Sequence, residues 1–354
     1  MQEKIRVAIN GAGRIGRAVF RAFFEYAERF SEIELVALND PHDPEVLLHL
    51  LKYDSVHGKA PFDITLTDQS LCVDSTKVKL FNTRDIQELP WAALSVDVVL
   101  ECTGRFKSAL SVQPHLSAGA KQIIISAPGA DDVNETLVLG ANQDRVDLSA
   151  PVVSIGSCST NALAPVLHVL SQHNPILQGF VTTVHAYTKD QSLVDSHHKD
   201  LRRARAAGCS IIPTKTGAAK AIGKVLPALQ GKLDGYALRV PTANVSVLDI
   251  SLVMQDVVSE EDVKSWLTFA SRQDKLNILA VTSEHLVSCD FNHSQASCVV
   301  DLPQLQVRGN MVKLVVWYDN EWGFANRMLD TVTFLHGRSC ISKTDSIQHK
   351  ETVC

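Results

Sequence analysis

The stretch that most restricts the fold of this chain runs from Lys4 to Asp40. "KIRVAIN" alternates apolar Ile5, Val7 and Ile9 in the manner of a buried strand. "GAGRIG" follows at once and sets Gly11, Gly13 and Gly16 in GxGxxG spacing. The next segment carries Val19, Phe20, Phe23, Phe24 and Ala27 as one helical stripe. "IELVALND" reads as a second strand and ends at Asp40. Each part has a mechanical task. The first glycine makes the tight turn, the second lets backbone approach a pyrophosphate, and the third packs helix on strand. The helix N-terminus faces the phosphates. An acid at the tip of the second strand accepts ribose hydroxyls and repels an added phosphate, which favours NAD over NADP. A lone GxGxxG is weak, since a glycine turn in an unrelated βαβ unit has the same spacing; here all the parts stand in order.

Two further apolar runs, "VDVVLECTG" and "KQIIISAPG", end in small and polar residues. In an open parallel sheet such ends face the ligand crevice. Thr103, Gly104 and Ser126 are therefore candidate cofactor contacts, or ordinary turn residues.

At 354 residues the chain suggests two domains. Hydrophobic content of 45% and charged content of 21% fit a soluble protein with full cores. A formal net charge of -5 offers no general attraction for nucleic acid or an anionic membrane, so an anionic ligand needs a local cluster of donors. No apolar run approaches membrane-spanning length, and the N-terminus lacks signal-peptide order, so a cytoplasmic location is expected. The eight cysteines form no CxxC pair and match no zinc spacing, so free thiols and no metal are expected.

In the second half, "SIGSCSTNALAP" opens a helical pattern through Leu163, Val166, Leu167 and Leu170. Cys158 falls in its first turn, where unsatisfied N–H groups and the dipole favour a thiolate. On this stretch alone it is a small buried thiol or a nucleophile. Pro165 is expected to shorten the helix or to sit near its start. "GFVTTVHAYT" reads as a strand that ends near His185, the candidate base among 13 histidines. "HKDLRRARAAG" carries Arg202, Arg203 and Arg205, an anion site or a solvated, salt-bridged surface. Thr216 and Gly217 precede a helix-like stretch whose N–H groups would cap a phosphate. "YALRVPTANVSVLDISLVM" reads as one alternating strand carrying Arg239. Asn320 stands where a strand ends and a helix opens, in reach of a nicotinamide carboxamide.

With these residues laid out, the chain resembles the phosphorylating glyceraldehyde-3-phosphate dehydrogenase family. "AINGAGRIGR", "LLKYDSVHG", "SCSTNALAP", "TTVHAYT", "IIPTKTGAAKAIGKVLP", "RVPTANVSVLD" and "WYDNEWGFANRMLD" keep family order over roughly residues 4 to 335. The resemblance implies an α/β chain: a Rossmann-type doubly wound NAD-binding domain and an α+β catalytic domain with a large, mostly antiparallel sheet. It implies boundaries at 1–157 and 158–324, a helix 325–337 that completes the first domain, and a polar tail over 338–354. Cys158 matches the catalytic thiol and His185 its activating base. Ser157, Ser159, Thr188, Arg203, Thr216, Gly217 and Arg239 match positions that bind the aldehyde's phosphate and the attacking inorganic phosphate. Arg14, Ile15, Asp40, Ser126 and Asn320 match NAD contacts, with Arg84 as a further candidate. A homotetramer is implied.

The usual family run S-C-T-T-N-C reads "SCSTNA" here: Ser159 keeps a hydroxyl and Ala162 removes a second cysteine treated as non-catalytic. His197 stands where many members have Pro. "LPWAALSVDVVLECTG" and "CDFNH" look like erythrose-4-phosphate dehydrogenases, whereas "HAYT" and "TGAAK" look like the three-carbon enzyme. The expectation is glyceraldehyde 3-phosphate as substrate. The alternatives are a four-carbon aldehyde phosphate, or a non-catalytic NAD-binding protein of the same fold.

Overall fold

The computed structural model of the chain describes residues 3–337, apart from the Lys220 side chain. Residues 338–354, expected as a loose tail, lie outside the described residues.

Two large sheets organise the molecule. The first follows the opening motif: β1 (Ile5–Asn10), α1 (Arg14–Glu25), β2 (Ile33–Asn39), then β3 (Val98–Glu101), β4 (Gln122–Ile125) and β5 (Val152–Ser154). Its nine strands run in the order Glu135–Thr136, β5, β4, β3, β1, β2, Thr76–Phe81, Ser70–Val73, Ile64–Thr67. From Glu135–Thr136 through Thr76–Phe81 all pairings are parallel, and the last two are antiparallel. The central strands β3 and β4 are buried at every residue, which is why their apolar residues, Val98–Leu100 and Ile123–Ile125, are consecutive and not alternating. β2 and β3 lie on opposite sides of β1, so the strand order reverses there and a crevice opens at the carboxyl ends.

The second sheet has eight strands. It is reached through α2 (Cys158–His173) and β6 (Ile176–Ala186), followed by α3 (Ala218–Val225), β7 (Leu233–Val240), β8 (Ser246–Met254) and β9 (Met311–Tyr318). The order is Ile212–Lys215, β7, β6, β8, β9, Cys298–Asp301, Leu279–Thr282, with Gln306–Arg308 also on β9. Pairings are antiparallel except β6 with β7 and Leu279–Thr282 with Cys298–Asp301.

Two sequence expectations change. "YALRVPTANVSVLDISLVM" is two strands, β7 and β8, which flank β6 with opposite directions. Pro241 brings no N–H to a ladder, and Val245 takes a left-handed φ of 66°, so the chain breaks there and re-enters on the far side of β6. Pro165 neither shortens α2 nor marks its start; the helix runs through it to His173. The segment Ser159–Leu167 is buried throughout, and this packing offsets the backbone bond that proline forfeits.

The C-terminal helix α4 (Trp322–Leu335) begins three residues before its expected start and returns to the first sheet. Trp322, Phe324, Met328, Leu329 and Val332 share a core with Val19, Phe20 and Phe23 of α1. Buried Asp330 receives Arg29 at 2.8 Å and Arg327 at 2.7 Å, which locks this return.

Candidate active site

A cavity of about 460 Å³ opens at the reversal point. Gly11, Gly13, Asp40, Arg84 and Thr103 line it, and Lys189 reaches it from the second half of the chain. Gly11 adopts φ +94°, and a Cβ there would lie 2.7 Å from the Thr103 methyl. A Cβ on Gly16 would lie 1.9 Å from the Gly11 carbonyl oxygen, so α1 rests directly on the turn. A Cβ on Gly13 would meet nothing within 4 Å, which leaves the room a pyrophosphate needs. These residues fit a dinucleotide. Asp40 is buried; one oxygen accepts the Ala12 N–H at 2.7 Å and the other lies 2.5 Å from His42 Nδ1.

Other candidates contribute differently from what residue type suggests. The Arg14 guanidinium is held by Asp54 and Glu321, so what it offers a dinucleotide is the backbone N–H at the first position of α1. Burial aside, these contacts with Arg14 hold both carboxyls below the usual carboxylate range. The Thr103 hydroxyl and N–H both donate to buried Glu101, which pins the turn against Gly11. Ser126 donates its N–H to the Glu101 carbonyl at 3.1 Å, just past β4, and Ile15 packs against the first core.

The thiol lies at the junction of the two cores. Cys158 is the first residue of α2, and Ser157 caps that helix by accepting the Thr160 N–H at 3.1 Å. Cys158 Sγ is 3.6 Å from His185 Nε2 and 4.0 Å from Ser159 Oγ. His185 is the penultimate residue of β6 and is buried. Its Nδ1 is 2.7 Å from the Ala186 carbonyl oxygen. Parallel pairing sets Arg239 of β7 opposite His185, and Arg239 Nη1, which can only donate, lies 2.8 Å from the same Nδ1. The carbonyl calls for a proton on Nδ1 and the guanidinium for a lone pair there; in the tautomer protonated at Nδ1, Nε2 presents its lone pair to the sulfur. Arg239 Nη1 also donates to the Ala186 carbonyl at 2.9 Å, and its buried Nε has no hydrogen-bond partner among the described residues.

Burial pushes the Cys158 thiol up, opposed by Arg239 and Ser159. Burial, with Arg239 adding to it, pushes His185 down to about 3. Burial thus acts against the standing thiolate that the helix dipole alone favours.

The anion-binding candidates gather around this pair to different degrees. Arg203 and Arg239 act on each other and on His185 through their charges. Arg203 also pairs with Asp190 and donates to Thr214 Oγ1 at 2.9 Å. Arg205 instead meets Asp195 on the exposed surface, which is the solvated reading of the arginine run. Thr216 Oγ1 accepts the Ala218 N–H at 3.2 Å, and Gly217 caps α3. Thr188 donates its N–H to Gln191 just beyond β6.

Sequence reasoning passed over three residues. Tyr318 is buried, bonds Ser159 at 3.1 Å and Thr183 at 2.8 Å, and meets the His185 ring edge-on at 6.0 Å. Glu101 anchors Thr103, and Ser246 bonds Asn320. The inward phase of the strand "VVWYDN" carried a signal for Tyr318. The other two needed strand pairing to be seen.

Residues 5–109 match the NAD binding domain of glyceraldehyde 3-phosphate dehydrogenase, and residues 157–320 match the C-terminal domain of the same family. The chain is 48% identical to the chromosomal glyceraldehyde-3-phosphate dehydrogenase of Cupriavidus necator, over 94% of this chain and 99% of the relative. It is 48% identical to that of Xanthobacter flavus, over 92% and 97%. It is 47% identical to that of Geobacillus stearothermophilus, over 94% and 98%.

Proposed function

The chain belongs to the glyceraldehyde-3-phosphate dehydrogenase family, and from that premise we propose how its residues convert glyceraldehyde 3-phosphate to 1,3-bisphosphoglycerate. It is an NAD-dependent oxidoreductase of the glycolytic type. The observation that carries the assignment of residues is the 3.6 Å approach of Cys158 Sγ to His185 Nε2 at the start of α2.

His185 takes the thiol proton as the sulfur adds to the aldehyde carbon and returns it to the resulting oxyanion, giving a thiohemiacetal and a neutral imidazole again. The N–H groups of the first turn of α2 face that oxygen. His185 then removes the hydroxyl proton while the carbon gives up a hydride, leaving a thioester on Cys158. Bound NAD supplies the hydride acceptor. Inorganic phosphate attacks the thioester carbonyl and the Cys158 thiolate leaves, giving the acyl phosphate. Thr188 with Arg239 serves one phosphate, and Thr216, Gly217 and Arg203 the other. The unpartnered Arg239 Nε supports the first pairing. Gly11, Gly13, Gly16, Arg14, Ile15, Asp40, Arg84, Thr103, Ser126 and Asn320 form the NAD side.

The division falls at residues 157 and 158, with α4 completing the NAD-binding half. The active form is a homotetramer; the exposed side chains of Leu193, Val194, Leu201 and Ile211, together with Phe180 and Tyr236, support it as surfaces for other subunits. The enzyme works in the cytoplasm. Among the described residues no helix is long and apolar enough to cross a membrane.

An aldehyde panel with NAD or NADP, with and without inorganic phosphate, tests this reading. NAD and phosphate should be required, and the three-carbon aldehyde should exceed erythrose 4-phosphate in kcat/KM. Cys158→Ala should abolish turnover while NAD still binds. Retained turnover ends the mechanism, and a tenfold preference for the four-carbon sugar ends the substrate assignment.

A further inference from the structure

We propose that Ser246 is a positioning residue: it fixes which end of the Asn320 amide faces the nicotinamide, and so sets the carboxamide's hydrogen bond from the strand that carries His185. The proposal rests on the reading above in taking Asn320 as the nicotinamide contact.

Ser246 is the first residue of β8 and is buried. Its Oγ accepts the Ala186 N–H at 3.1 Å, at the point where β6 leaves its ladder with β8. It donates to Asn320 Oδ1 at 2.7 Å, and the Tyr318 hydroxyl also contacts it. A serine hydroxyl has one proton. With one lone pair taking the Ala186 N–H and the other facing the Tyr318 hydroxyl, the proton goes to Asn320, as the approach to its Oδ1 shows. Asn320 Nδ2 is then turned away, with no hydrogen bond to the described residues, free to donate to a carboxamide oxygen.

The segment before Ser246 is built to hold this register. Val245 takes the left-handed φ of 66°, a position a β-branched residue occupies only when its surroundings require it. Asn244 Nδ2 donates to Asp319 Oδ2 at 2.9 Å. Residues 244 and 246 thus grip residues 319 and 320 at two points. Asp319 Oδ1 in turn accepts the N–H groups of Glu321 and Trp322 where α4 begins. Without the serine hydroxyl, the amide has two states related by a half-turn, and the carboxamide has a matching choice. That turn is about the bond joining carboxamide to ring, so the ring stays in place and what is lost is the fixed polarity of this hydrogen bond.

The test compares Ser246→Ala, Ser246→Thr and Asn320→Ala with the parent. NAD affinity is read by calorimetry without aldehyde. Ser246→Ala should weaken NAD binding about fivefold to tenfold, and Ser246→Thr, which keeps the hydroxyl, should restore it. If Asn320→Ala binds NAD like the parent, the cofactor assignment itself fails. If Asn320→Ala binds weakly but Ser246→Ala matches the parent, the role of Ser246 alone is refuted. Weakened binding with no rescue by threonine also refutes it, since lost packing then accounts for the change. A melting curve for each variant identifies any that is not folded, and the threonine variant carries the test if alanine fails.

Discussion

Adding one methyl group at Gly13 or at Gly16 should have opposite consequences, although the chemical change is the same. At Gly16 the new carbon would sit 1.9 Å from the Gly11 carbonyl oxygen and 3.0 Å from its carbon. An ordinary carbon–oxygen contact is about 3.3 Å, so α1 must move by about 1.4 Å relative to the turn. The obstacle is backbone on both sides and no rotamer relieves it. Overpacking of this kind costs about 1–3 kcal/mol, which lowers Tm by roughly 1–4 °C in a chain of this size. At Gly13 the methyl meets nothing within 4 Å, and φ -68° suits alanine. Gly13→Ala should hold Tm or raise it slightly, since alanine restricts the unfolded chain by about 0.4–1 kcal/mol. Its methyl does enter the space left for pyrophosphate, so NAD affinity should fall by at least about tenfold, or 1.4 kcal/mol. Thermal melts and calorimetry with NAD on both variants decide the matter. A Gly13→Ala protein that melts early but binds NAD normally, or a Gly16→Ala protein with parental stability, refutes this account of the turn.

His185→Gln should lower kcat/KM by about 10²–10⁴ and leave NAD affinity unchanged, because the lone pair facing Cys158 is lost while the crevice is untouched; steady-state rates and calorimetry check it. The same residue sets a pH dependence. With His185 held at about 3 against an ordinary 6.5, the unfolded chain takes up a proton between those values that the folded chain refuses. Stability contributed by the neutral imidazole is thus present above pH 6.5 and falls on acidification by about 1.4 kcal/mol per pH unit near pH 5. Denaturant titrations across pH 4–8 should show a shallower slope for His185→Gln. Arg14→Met should cost about 1–2 kcal/mol at neutral pH, allowing for screening at its partly exposed guanidinium, by leaving Asp54 and Glu321 without their cation. Both carboxyls are held low, so the stability they contribute is present above about pH 4 and is lost as pH falls further. The gap between variant and parent should close below that pH, and urea titrations at two pH values read it. Tyr318→Phe should cost about 1–3 kcal/mol by leaving the buried Ser159 and Thr183 hydroxyls each one partner short, which a urea titration measures.

Much of the dinucleotide side was legible in the chain order because its determinants are local. The strand, three glycines, helix and acid lie within one βαβ unit, where each residue's task follows from its distance along the chain to the next. The place of Cys158 was equally local: a serine cap and an apolar run put it at the first position of α2, whatever the rest of the fold does. What tertiary structure alone decided is which groups that sulfur meets. His185 and Arg239 are 54 residues apart, and only the parallel pairing of β6 with β7 sets them opposite each other. The break at Pro241 that sends β8 to the other flank of β6 brings Ser246 to Asn320. Arg14 carries the charge that suits a pyrophosphate, yet Asp54 and Glu321 claim its guanidinium from two distant segments. Charge states belong to the tertiary level as well. A helix dipole can be read from a sequence and argues for a thiolate, but desolvation depends on everything packed around the pair, and here it pushes Cys158 up and His185 down. Periodicity and capping act over a few residues. Strand register and burial are properties of the assembled fold.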